Sequence, residues 1–155
     1  MSLFDTVSED IKKAMLAKEK DKLESLRAVK AAFLLARTEA RAGGELTPEA
    51  ELKIVQKLVK QRRESAEIYQ QQNRQDLAEK ELMEASIIEQ YLPAQMSEQE
   101  LENVLKAIIE RVGAKAPSDI GKVMGVATKE LSGKADGKAI SGKVKQILNE
   151  LNPVS

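Results

Sequence analysis

From Leu3 to Leu151 the apolar residues return every three or four positions, and no segment alternates apolar with polar as a half-buried strand does. That spacing is the period of an α-helix, so the fold class expected is all-α. Composition supports it. Hydrophobic residues make up 42% of the 155, but only 3% are aromatic: Phe4, Phe33, Tyr69 and Tyr91. The core must come from Leu, Ile, Val, Ala and Met, and apart from the β-branched pair these are good helix formers.

Start and stop signals divide the pattern into seven helices. Ser2 and Asp5 have capping-box spacing ahead of a stripe of Leu3, Val7, Ile11 and Met15. Asp21 and Glu24 open a second helix with Leu23, Leu26, Val29, Phe33, Ala36 and Ala40 inward, and Gly43-Gly44 stops it. Thr47-Pro48 starts a third as N-cap and first helical residue. It reaches Gln72, about 25 residues or roughly 37 Å, and the Gly-Gly turn pairs it with helix two as a long antiparallel hairpin. Asn73 is a left-handed cap. Asp76 and Glu79 open a fourth helix that Pro93 ends. After a short linker over 93–96, the box Ser97 to Glu100 opens a fifth helix, which runs to Gly113. A sixth starts at Ser118, a turn spans Gly133 to Gly137, and a seventh carries Ile140, Val144, Ile147, Leu148 and Leu151. The expected domains are 1–93 and 97–155, the second a small three-helix bundle.

Several kinds of chemistry are excluded at once. The chain has no cysteine and no histidine. Disulfides, Cys or His zinc sites and nucleophile–histidine pairs are therefore impossible, and no catalytic residue, metal or cofactor is expected. Carboxylate pairs such as Glu79 with Glu81 and Glu98 with Glu102 sit on polar helix faces beside caps, as solvated side chains rather than in the cleft that acid–base chemistry needs. The amino terminus lacks the basic stretch and apolar run of a signal peptide, and no apolar run reaches membrane-spanning length. A cytoplasmic protein without a membrane partner is expected.

Net charge is zero but unevenly placed. Residues 113–155 carry seven lysines against four carboxylates, a net of +3, and six of the eight glycines. Gly-Lys occurs there four times: Gly121-Lys122, Gly133-Lys134, Gly137-Lys138 and Gly142-Lys143. Glycine admits an anion to backbone N–H groups, a helix amino terminus adds partial positive charge, and lysine adds a full one. That combination suits RNA phosphates; the competing explanation is a glycine-shaped turn kept in solution by lysines. Gly137 to Lys143 also fits the first seven positions of a P-loop. The eighth is Val144, which has no oxygen for magnesium, and no strand precedes it, so the match is accidental. Gly121 and Gly125 form a small-residue face, assigned to close helix packing, with close approach to a ligand backbone as the lesser alternative.

The whole chain resembles the GatB/YqeY family. The resemblance is carried by Arg74-Gln75-Asp76-Leu77-Ala78-Glu79-Lys80-Glu81, Glu89-Gln90-Tyr91-Leu92-Pro93, Asp119-Ile120-Gly121-Lys122-Val123-Met124 and Gly133-Lys134-Ala135-Asp136-Gly137-Lys138. The amino-terminal Arg27-Ala28-Val29-Lys30 and Thr47-Pro48-Glu49-Ala50 fit as well. It implies an amino-terminal four-helix bundle followed by a three-helix bundle. The latter is similar to the tail of the B subunit of the glutamine-dependent Glu-tRNA(Gln)/Asp-tRNA(Asn) amidotransferase, which touches the tRNA elbow. The family's label of carbon–nitrogen ligase would be inherited, because the kinase-like catalytic region of that subunit has no counterpart here. The resemblance implies a non-catalytic tRNA-binding module. The lack of aromatics and arginine after residue 113 limits the module to reading shape, and Val126, Ala127 and Ser132, which leave the sixth helix less basic, limit it to weak binding. Its contact region is Lys122, Lys134, Lys138 and Lys143 with Gly121, Gly133, Gly137 and Gly142. A protein-interaction module, docking a partner of the amidation or translation machinery through the hairpin of helices two and three or the acidic fourth helix, is the alternative.

Overall fold

The computed structural model describes residues 2–39 and 44–152. Among them are seven α-helices, one 3-10 turn and no strand, so the chain is all-α. The helices fall into two compact units, Met1–Leu92 and Pro93–Ser155.

The first unit holds α1 (Leu3–Ala17), α2 (Lys20–Glu39), α3 (Pro48–Gln71) and α4 (Gln75–Glu89). The Ser2 hydroxyl accepts from the Asp5 N–H at 3.2 Å, and the Asp5 carboxylate closes the capping box. The Thr47 hydroxyl caps α3 by accepting from the Ala50 N–H at 3.1 Å. Val7, Ile11, Leu26, Val29, Phe33, Val55, Val59 and Ile88 fill one core. Met15 does not join it. Four-residue steps drift around a helix that turns every 3.6 residues, so Ala14 takes the buried place and Met15 is 53% exposed. Ala40 and Gly43 lie outside the described residues.

The hairpin is not the one the sequence indicates. α3 packs chiefly along α4 and meets α2 at few positions. Three residues, Gln72 to Arg74, reverse the chain, with Asn73 left-handed at φ 59°. Ala66, Ala78 and Ala85 are buried where the two helices approach. Arg62 reaches Glu84 at 3.2 Å and Arg63 pairs with Glu89, fixing the register from the flank. Asp76 does not cap α4; its carboxylate instead pairs with the Arg74 guanidinium at 3.2 Å.

Two contacts tie α1 down. Glu51, in the first turn of α3 and only 2% exposed, accepts from the Phe4 N–H at 2.9 Å. A carboxylate thus answers one of the unpaired amides that every helix start leaves. The Tyr91 hydroxyl donates to Asp10 at 2.6 Å. Burial first, and then this hydrogen bond, push its phenol well above the ordinary value of 10.0.

The second unit packs α5 (Glu98–Val112), α6 (Ile120–Glu130) and α7 (Gly137–Leu151) around Leu105, Ile108, Ile109, Val123, Ala127, Ile140, Val144 and Leu148. Gly113 ends α5 at φ 73°, a left-handed position that favours glycine. The sixth helix does not start at Ser118. A 3-10 turn, Pro117–Asp119, precedes it, and the Asp119 carboxylate points backwards, accepting from the Lys115 and Ala116 N–H groups at 2.9 and 3.3 Å. The seventh starts one turn earlier than its apolar stripe, at Gly137, with Asp136 in the N-cap position.

Candidate nucleic-acid interface

The four Gly-Lys pairs sit in three different settings. Gly121-Lys122 lies in the first turn of α6, Gly137-Lys138 opens α7, and Gly142-Lys143 follows within α7. Gly133-Lys134 lies in the turn between the two helices. Gly133 there is buried and left-handed, at φ 77°. Its carbonyl accepts from the Gln95 side chain at 2.7 Å, and the Lys134 carbonyl accepts from the Met96 N–H at 3.1 Å. The Lys134 N–H is spent on the Leu131 carbonyl. This backbone is therefore committed to holding the turn, and only the exposed Lys134 side chain is open to a ligand. Residues 137–144, the P-loop match, are continuous helix.

Burial sorts the rest by helix face. Residues three, four and seven apart share a side of a helix, whereas neighbours are about 100° apart. On α6, Val123 and Ala127 point into the core, and Gly125, two positions from each, lies on the opposite side. The packing role assigned to Gly121 and Gly125 is therefore contradicted. Both are exposed, and a Cβ built on either meets nothing within 4 Å. Lys122 and Lys129 lie on the same solvent face as Gly125.

On α7, Ile140, Val144, Ile147 and Leu148 are buried, and the opposite face carries Lys138, Gly142 and Lys145, all exposed. Gly137 and Gly142 also have open space where a Cβ would stand. Lys143 is half-buried at the edge of the apolar face. Lys129 and Lys145 are the cations a search for Gly-Lys pairs passes over. Seven-residue spacing from Lys122 and Lys138 is the signal that finds them.

Between residues 120 and 151 six lysines face three carboxylates. One of those, Glu130, already answers Arg111 at 2.5 Å. The ion pairs among the described residues of this unit are Lys106 with Glu102 and Arg111 with Glu130; Lys129, Lys134, Lys138, Lys143 and Lys145 enter none. The Asp119 carboxyl is held below its usual range by the Lys115 and then the Ala116 N–H groups, with Lys122 adding attraction.

Elsewhere the unit offers little chemistry. An open groove of about 720 Å³ runs between the carboxy-terminal turns of α5 and α7 over Ile109, Ala114 and Ile147, rimmed by Lys106, Lys115, Glu110 and Glu150. None of the Gly-Lys residues lines it. Among the described residues no three carboxylates gather to hold a metal ion. No helix there is long and apolar enough to cross a membrane.

A family model of YqeY-like proteins matches residues 4–148, which includes both units and both lysine-bearing helices. The chain belongs to the YqeY-like family. Three fungal proteins called altered inheritance of mitochondria protein 41, mitochondrial, are similar to this family member. The one from Pyrenophora tritici-repentis is 28% identical over 90% of the chain and 77% of its own length. The one from Clavispora lusitaniae is 34% identical over 73% and 66%. The one from Meyerozyma guilliermondii is 38% identical over 57% and 46%. Those names place the relatives in mitochondria and state no ligand.

Proposed function

We infer that this YqeY-like chain is a non-catalytic RNA-binding module that holds a folded tRNA by its phosphates through the second unit. The observation that carries this reading is the set of solvent-facing lysines on and between α6 and α7 that no carboxylate neutralises. Unpaired cations on a rigid helical unit are what a phosphate backbone requires. Residues 113–155 contain no aromatic residue to stack a base and no arginine to fork a guanine. Contact is thus limited to phosphates and 2′-hydroxyls, which report the shape of a folded RNA rather than its sequence. In this reading the ligase label of the wider family belongs to its larger members and not to this chain. The cytoplasm is the proposed compartment. The mitochondrial relatives fit the same reading, because both compartments hold tRNA.

The test is binding to a tRNA transcript across a salt series. Affinity falls with salt, and each lysine removed lowers the logarithmic slope by about one. Changing Lys122, Lys134, Lys138 and Lys143 together to Glu abolishes binding and leaves helicity intact. The same change at Lys53 and Lys57, exposed on α3, is the control. Wild-type protein that ignores tRNA at low salt refutes the reading. A larger loss from the α3 change moves the contact surface to the first unit.

A further inference from the structure

The solvent faces of α6 and α7 are built alike. Lys122, Gly125 and Lys129 share one, and Lys138, Gly142 and Lys145 share the other. In each a glycine sits between two lysines seven positions apart, about 10 Å along the axis. Space above both glycines is open. Neither face carries a large apolar residue; among the described residues of this unit the exposed large apolar side chain is Leu151, outside both.

We propose that these two faces are seats of the polyanion: sugar–phosphate backbone of a folded RNA passes over Gly125 on α6 and over Gly142 on α7, gripped at each by the lysine pair. The proposal rests on the RNA reading above and adds its contact geometry. Lys129, Lys138 and Lys145, which enter no ion pair, and the exposed Lys122 set the sign of the partner. The bare backbone between them sets its shape, since a side chain there would hold a convex strand away from the ammonium groups. A membrane would need an apolar face to bury, and neither of these two faces is apolar. An acidic protein surface is satisfied by lysines alone and gains nothing from open glycines. Lys129 and Lys145 become contact residues of equal standing with Lys122 and Lys138.

The full chain tests this, with a tRNA transcript as probe. Gly125→Gln with Gly142→Gln leaves every lysine in place, and glutamine is the better helix former, so melting temperature holds or rises. Affinity for tRNA falls about tenfold or more, as expected when phosphates are held off the surface. Lys129→Gln with Lys145→Gln lowers the salt slope by about two. Wild-type binding with the glycine pair at wild-type affinity overturns this inference and leaves the RNA reading standing. Wild-type protein that ignores tRNA refutes that reading itself. Phosphatidylserine vesicles bound as tightly as tRNA would assign the faces to a membrane and overturn the proposal.

Discussion

Replacing Gly125 and Gly142 by alanine should make the protein more stable. Both glycines lie inside regular helix, both are exposed, and an added Cβ meets nothing within 4 Å. The substitution therefore carries no clash. What remains is the conformational freedom that glycine brings to the unfolded chain, which alanine lacks. Each change is worth roughly 0.5–1 kcal/mol, and the sites lie on different helices, so the pair contributes about 1–2 kcal/mol. In a unit of this size that unfolds alone, each 1 kcal/mol raises the melting temperature by about 4–8 °C; if the chain melts as one body, by about 2–4 °C. Scanning calorimetry reads both the shift and the number of transitions. A fall in melting temperature for either single variant would refute the argument, because it would mean that the Cβ displaces a neighbour or that the residue is not helical. A rise would mean that the native sequence forgoes available stability on the two faces that carry unpaired lysines.

Glu51→Ala strips the buried acceptor from the Phe4 N–H and should cost about 1–3 kcal/mol in urea unfolding, whereas Glu51→Gln keeps an acceptor and recovers most of it. Tyr91 keeps its proton in the folded state to higher pH than in the unfolded chain. Its contribution is therefore intact below pH 10.0 and is lost as pH rises beyond it; Tyr91→Phe should flatten the alkaline slope of stability, read by thermal melts. Asp119 has the opposite sign: its folded value is depressed, so its contribution is present above 3.8 and disappears as pH falls below that. Asp119→Asn should weaken this acid-side dependence, followed by circular dichroism of the acid transition.

Helix existence was legible because it depends on local signals. Ser2, Thr47 and Ser97 each accept a hydrogen bond from the third residue of the helix they open, at 3.1–3.2 Å. Val7, Ile11, Val29, Phe33, Val55, Leu105, Val123 and Val144, all periodic in the sequence, are buried. Partner choice was not legible. The α3–α4 pairing rests on Ala66, Ala78 and Ala85, and alanine is a good helix former on any face, so it marks none. Glu51 resembles any first-turn carboxylate until the fold brings it to Phe4, 47 residues away. Leu16 and Leu35, 86% and 63% exposed, are the converse, since apolar residues need not lie inside.

At the candidate interface, reading the chain as a string of dipeptides grouped residues that the helices separate. A glycine and the lysine after it are about 100° apart on a helix, so Gly-Lys is not a structural unit there. In the turn, Gly133-Lys134 is one, but its backbone groups serve Gln95, Met96 and Leu131. Taken by face, the same segment yields Lys122, Gly125 and Lys129 on α6 and Lys138, Gly142 and Lys145 on α7. The exposure of Gly125 removes the packing explanation that its sequence position allows. A glycine needed for helix packing would face Val123 and Ala127, and this one faces away from both. A solvent-facing glycine in mid-helix lowers stability without serving the packing of its unit, and the proposed seat gives it a use: the close approach of an anion held by the lysines on either side.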